Sequence, residues 1–314
     1  MGRSRYPVLV LKGMAMGAAD VVPGVSGGTI AFISGIYSEL IDSLRSINLE
    51  ALQTLRRRGI GACWQVINGN FLLALFTGIA ISLVTLARVI NYCLTHYPIH
   101  VWSFFFGLIL ASIFYMVRQT GAWHRRELLA LVLGTGIALA ISMAKPAALP
   151  GEWWMALLAG SVAICAMILP GISGSFILLL MGMYSAILRA IEDLDWLLLA
   201  SFGVGCACGL LAFSHVLSWL LRRFYTLTLS FLTGFLVGSL NIIWPWKQTL
   251  QTTLNRHGEE VPLVQSNLWP ATYSELTGLA AHTGWALMLA LLGMVVVLGF
   301  ERLAGGENRQ SKDL

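Results

Sequence analysis

Residues 23–29 read Pro-Gly-Val-Ser-Gly-Gly-Thr, and residues 170–176 read Pro-Gly-Ile-Ser-Gly-Ser-Phe. The two stretches align at a constant offset of 147, and eight of the sixteen positions from Pro23 to Ser38 are identical in the second copy, among them Gly35/Gly182, Tyr37/Tyr184 and Ser38/Ser185. Each stretch interrupts an apolar region, with 7–22 and 26–44 around the first and 153–169 and 173–191 around the second. Proline cannot continue a helix, and each piece is short for a bilayer crossing, which takes about 17–25 residues. Each region is therefore expected to be a re-entrant hairpin: a half-helix in, a break at depth, a half-helix back. Broken backbone at that depth is tolerated only where protein or a water-filled cavity surrounds it.

The rest of the chain fits a membrane setting. Of 314 residues, 57% are hydrophobic and 11% charged, with a mean hydropathy of +0.76. A soluble domain carries roughly 25% charged residues. The soluble, disordered and nucleic-acid-binding classes are excluded despite a net charge of +5. Six further runs, 71–95, 101–118, 128–146, 196–221, 227–246 and 284–301, are long and apolar enough to cross a bilayer. The expected fold is an all-α polytopic membrane protein. The five cysteines follow no framework or metal spacing and read as small buried hydrophobes. Lys12 and Asp20 interrupt the N-terminal apolar run and no convincing cleavage site follows, so that run is expected to be retained.

Charge sets the orientation. With the N-terminus in the cytoplasm, fourteen Lys and Arg residues fall inside and four outside, as the positive-inside rule requires, and two crossings per broken region would give the same sidedness as a re-entrant hairpin. Both termini are then cytoplasmic. The repeat extends downstream through Gly78/Gly203, Ser103-Phe104/Ser230-Phe231 and Gly107/Gly234. The first repeat is 1–146 (hairpin 7–44, spans 71–95, 101–118 and 128–146), and the second is 147–314 (hairpin 153–191, spans 196–221, 227–246 and 284–301). A hairpin plus three crossings gives the halves opposite orientation. Such an inverted-topology repeat is the usual architecture of secondary transporters, whose sites lie at the repeat interface near the midplane.

The repeated motif suits an anion. Ser26 is a plausible N-cap, and glycines at 24, 27, 28, 171 and 174 let a ligand approach the backbone closely. Orphan N–H groups, with hydroxyls of Ser26, Thr29, Ser173 and Ser175, are the expected donors. Arg88 lies within a span, where a charge costs at least ~2.5–3.5 kcal/mol at the centre and marks a functional candidate. Its repeat partner, allowing a two-residue gap, is His215, which completes a symmetric pair of basic positions. Asp20 precedes the first break and has Met167 as its partner. Asp20 and Glu39 are the candidates for a coupling proton or sodium ion, whereas Asp42 reads as a rim charge and Lys12 as a snorkelling one. No metal-ligand spacing occurs, and no cofactor is expected.

The strings K-G-M-A-M-G-A-A-D-V-V-P-G-V-S-G-G-T (12–29) and L-P-G-I-S-G-S-F-I-L-L-L-M-G-M-Y (169–184) resemble the bacterial polyprenyl-phosphate transporter family over nearly the whole chain. The resemblance implies a non-enzymatic translocase of the plasma (inner) membrane. Its cargo would be undecaprenyl phosphate, the lipid carrier of cell-wall precursors, returned from the outer to the inner leaflet. It also implies phosphate contacts from Pro23 to Thr29 and from Pro170 to Ser175. The family pattern has a lysine where His215 stands, which makes the charge there depend on pH. Two other classes share parts of the pattern. Undecaprenyl-diphosphate phosphatases carry a P-G-x-S loop, but theirs continues with an arginine where Gly27 stands here and is supported by a glutamate pair that this chain lacks. A transporter of a small soluble ion would also use helix-end donors.

Overall fold

The computed structural model describes residues 5–22, 24–121, 123–144, 146, 151–254 and 260–310. Most of the chain is helical. The first half comprises α1 (Arg5–Val21), α2 (Gly27–Ile33), α3 (Tyr37–Arg45), α4 (Leu49–Val66), α5 (Gly69–His96), α6 (Pro98–Thr120) and α7 (Arg125–Met143). The second half comprises α8 (Trp153–Ile168), α9 (Gly174–Leu180), α10 (Tyr184–Glu192), α11 (Trp196–Arg223), α12 (Tyr225–Ser239), β1 (Lys247–Leu254), β2 (Glu260–Asn267), α13 (Pro270–Thr277) and α14 (Thr283–Gln310). Among the described residues five helices are long and apolar enough to cross a membrane: α5, α6, α7, α11 and residues 283–300 of α14. The bent pair α9–α10 passes the same test together. This is a multi-pass helical membrane protein.

Three expectations need correction. The pieces 26–44 and 173–191 are not single half-helices, because each is divided by a glycine with a left-handed backbone, Gly35 (φ 74) and Gly182 (φ 68). α9 and α10 meet there at 103°. The span expected over 227–246 stops helically at Ser239, and Leu240 to Trp246 form a turn sealed by Trp246 Nε1 donating to the Ala281 carbonyl at 2.8 Å. The chain is also not wholly α. β1 and β2 pair antiparallel, and Lys247 at the base of this hairpin lies 3.5 Å above the Trp102 ring.

Helix packing is tight because glycines replace side chains at the contacts. The most extensive pairs are α1–α5 and α8–α11 within the halves, and α7–α12 and α6–α14 between them. A Cβ on Gly13 would stand 2.3 Å from the Leu75 carbonyl oxygen, and one on Gly17 2.8 Å from that of Ile79. Those contacts advance together, so α1 and α5 run parallel. Gly205 against Leu157 and Gly209 against Ser161 make α8 and α11 parallel in the same way. Gly234 against Leu131 and Gly238 against Thr135 do so for α12 and α7.

Candidate functional site

The two motif loops begin at glycines that only a residue without Cβ adopts readily, Gly24 (φ 81) and Gly171 (φ 91). Pro23 lies outside the described residues. Beyond each glycine a serine in extended conformation caps the next helix. Ser26 Oγ accepts from the Gly28 amide at 3.0 Å, and Ser173 Oγ accepts from the Phe176 amide at 3.2 Å. The N-cap expected at Ser26 is present, and Ser173 caps α9 in the same way.

The loops meet. Ser26 Oγ donates to the Met167 carbonyl at 2.9 Å, and the Gly171 amide donates to Thr29 Oγ1 at 3.1 Å. Tyr37 Oη donates to the Ile168 carbonyl at 3.2 Å. A Cβ on Gly28 would stand 2.6 Å from that same Ile168 oxygen, so the backbones approach as closely as glycine allows. Ser26, Thr29, Tyr37, Gly171 and Ser173 are all buried here. Thr29→Val keeps the shape but leaves the buried Gly171 N–H without an acceptor. It is expected to cost about 1–3 kcal/mol, read as a lower unfolding temperature in detergent.

The two copies differ in what occupies their donors. In the first, the Gly27 amide donates to Asp20 Oδ1 at 2.7 Å, the Gly28 amide to Ser26 Oγ, and the Thr29 amide to the Ser26 carbonyl at 2.9 Å. A carboxylate of the chain itself thus occupies the Gly27 amide. In the second copy Met167 stands where Asp20 does. There the Gly174 and Ser175 amides have no hydrogen-bond partner among the described residues. Ser173 Oγ and Ser175 Oγ are 3.0 Å apart, and Ser175 is exposed. One loop is internally closed and the other is open.

The remaining predicted residues lie apart from the loops. Arg88 is exposed on α5, six residues beyond Ser82, which faces Gly17; at 1.5 Å per residue that is about 9 Å, close to the height of the first break. His215 is exposed on α11 six residues beyond Gly209, which faces Ser161, and its Nδ1 lies 2.7 Å from the Leu211 carbonyl. Neither makes a hydrogen bond or ion pair to either loop among the described residues. Glu39 pairs with Arg5 and accepts from Asn68 Nδ2 at 3.0 Å, tying α3 to α1 and to the start of α5. Asp42 accepts from Ser218 Oγ and from Arg222, both at 2.8 Å, and so ties α3 to α11 in the other half. Lys12, expected to snorkel, is buried instead and donates to the Ser34 carbonyl at 2.9 Å, because the end of α2 offers it an unpaired acceptor. No cluster of potential metal ligands occurs among the described residues.

Two broken helical units that hydrogen-bond to each other, carried by apolar helices long enough to cross a bilayer, define a multi-pass membrane protein. The chain belongs to the undecaprenyl phosphate translocase-like family, whose model matches residues 16–261. It is 51% identical to a polyprenyl-phosphate transporter of Vibrio cholerae serotype O1 (strain ATCC 39315 / El Tor Inaba N16961), over 95% of this chain and 97% of that one. It is 31% identical to a polyprenyl-phosphate transporter of Staphylococcus aureus (strain NCTC 8325 / PS 47), over 75% of this chain and 85% of the relative. No solved structure is significantly similar to it.

Proposed function

We propose that this chain returns undecaprenyl phosphate from the outer to the inner leaflet of the bacterial plasma membrane, as a non-enzymatic transporter with both termini in the cytoplasm. Two relatives named polyprenyl-phosphate transporters support the cargo. The observation that carries the site is the hydrogen bonding of one motif loop to the other, Ser26 to Met167 and Gly171 to Thr29. We assign an inverted-topology repeat of two re-entrant units, 1–146 and 147–314, on the strength of the sequence repeat and of the matching pairs α1–α5 and α8–α11. The cargo's tail stays in lipid, and only its phosphate needs a polar path. An anion in hydrocarbon is costly unless it is paired and hydrogen-bonded.

The phosphate is received at the open loop, by Gly171, the amides of Gly174 and Ser175 and the hydroxyls of Ser173 and Ser175. It passes to Gly24, Ser26, Gly27, Gly28 and Thr29 when Asp20 yields the Gly27 amide. Protonation of Asp20 removes a negative charge that would repel the phosphate, which links cargo movement to a proton gradient. Glu39, already engaged by Arg5 and Asn68, serves as a latch between α3 and α1 and is the second candidate for ion coupling. Arg88 and His215 approach the phosphate from α5 and α11 as the cargo enters between helices.

Arg88 supplies the test. A charge-assisted bond is roughly twice as strong as a neutral one, and arginine binds phosphate bidentately. Arg88→Ala is expected to weaken polyprenyl-phosphate binding more than Ser175→Ala does, and Arg88→Lys is expected to fall between, because the planar fork is lost. Native mass spectrometry of equal folded amounts reads the three affinities. Wild-type affinity in Arg88→Ala would remove Arg88 from the site. Release of inorganic phosphate from undecaprenyl diphosphate by the pure protein would instead establish an enzyme.

A further inference from the structure

The last turns of α3 and α11 converge on an open depression of about 270 Å³ lined by Arg45, Trp219, Arg222 and Arg223. The two helices belong to different halves and are held together by Asp42, which accepts from the Ser218 hydroxyl and from Arg222. Ser218 is buried, and Arg45 reaches the same hydroxyl at 3.4 Å. The pin fixes one guanidinium against a carboxylate and leaves Arg45 and Arg223 without one among the described residues. The depression therefore carries two uncompensated positive charges. Trp219 is 57% exposed and packs edge-on against Phe224 at 5.6 Å. A tryptophan so exposed at a helix end belongs at the headgroup level of a bilayer.

From these features we propose that this depression is a second phosphate site, at the membrane surface, for the headgroup of a lipid phosphate monoester. Charge selects the ligand class. A monoester carries about −1.5 to −2 at neutral pH, whereas a phospholipid phosphodiester carries one charge, so two guanidinia without a carboxylate partner match the former. Guanidinium forks suit phosphate oxygens bidentately, and the indole face covers the first carbons of the tail. The site lies on the face that carries most of the chain's basic residues, the cytoplasmic one in the orientation proposed above. There it takes up the cargo's headgroup after passage and before release. That place in the transport cycle rests on the transporter reading; the binding itself does not.

The experiment is native mass spectrometry of the full chain with undecaprenyl phosphate and, separately, phosphatidylglycerol. It compares wild type, Arg45→Gln/Arg223→Gln, Arg45→Lys/Arg223→Lys and Ser173→Ala/Ser175→Ala. Arg222 is spared because it holds the Asp42 pin. The wild type is expected to bind two monoester lipids. The glutamine pair is expected to lose one, with affinity for it down at least about tenfold, as for two lost charge-assisted bonds. Phosphatidylglycerol binding should fall by less than about threefold, and the lysine pair should hold the second monoester more tightly than the glutamine pair. The serine pair loses the central lipid and keeps the surface one, so failure of the midplane site and failure of this one read differently. Undiminished monoester binding in the glutamine pair overturns the proposal. An equal fall for both lipids overturns the monoester assignment and makes the depression a general anionic-lipid contact.

Discussion

A Gly28→Ser variant is expected to lose more than about tenfold of its transport, even though the repeat places a serine, Ser175, at the matching position. A Cβ at 28 would stand 2.6 Å from the Ile168 carbonyl oxygen and 3.1 Å from Ser26 Oγ. The first is a backbone atom, already held by Tyr37 Oη at 3.2 Å, and has no free direction in which to retreat. Overpacking of this kind costs typically 1–3 kcal/mol, and here it is paid at the seam between the two loops. Separating them breaks the bonds of Ser26 to Met167 and of Gly171 to Thr29. Ser175→Gly, the reverse change, faces no such wall, since Ser175 is exposed, and should keep the fold. Gly136→Ser on α7, where nothing lies within 4 Å of a Cβ, is the control for handling. Unfolding temperature in detergent and lipid flux in liposomes give the two readouts. Normal flux with Gly28→Ser would mean that the loops do not need to touch.

Asp20→Asn is expected to leave the protein folded and to uncouple it. The asparagine oxygen can still accept from the Gly27 amide, which is 2.7 Å from Asp20 Oδ1, so the start of α2 keeps its partner. The change removes the charge, and with it the need for a proton before phosphate reaches that amide. Flux across liposomes should then lose the part of its pH dependence that Asp20 supplies and be indifferent to an imposed proton gradient, whereas the wild type responds to both. Asp20→Ala, which strips the acceptor as well, should lose stability by about 1 kcal/mol or more besides. An Asp20→Asn variant that follows the wild-type pH and gradient response would place the coupling elsewhere.

The breaks and most crossings were legible because their signals are local. Pro-Gly before Ser-Gly marks a helix stop and a new N-cap wherever it occurs, and both serines do cap. The span expected over 196–221 is α11, Trp196–Arg223, because its apolar run ends at a pair of arginines. The second break in each unit was not legible. Gly35 and Gly182 look like packing glycines in the sequence, and only the positive φ distinguishes a turn from a contact. The overlong span 227–246 arose because Ile242, Ile243, Trp244 and Trp246 are apolar yet pack as a turn beneath the hairpin, with Ile243 fully buried. Neither the seam nor the Asp42–Ser218 pin has a local signature. Their partners are separated by 131 to 176 residues, and several ends are backbone groups of Met167, Ile168 and Gly171 that no side chain advertises. Tyr37 was a clue, being identical in both copies without a packing rule to explain it.

The exchange of partners between α6–α14 and α7–α12 bears on how the chain is made. α6 is synthesised long before α14, yet the surface around Gly107 is shaped for the backbone of Ala290, and Gly134 of α7 for that of Phe231. A nascent chain that has released only its first 146 residues carries two glycine-lined grooves with nothing to fill them. Neither half completes its own packing, so the α6–α14 contact forms only once α14 has been made. Losing α14 strips α6 of its partner, so a stop codon before it should destabilise the first half of the chain as well as the second.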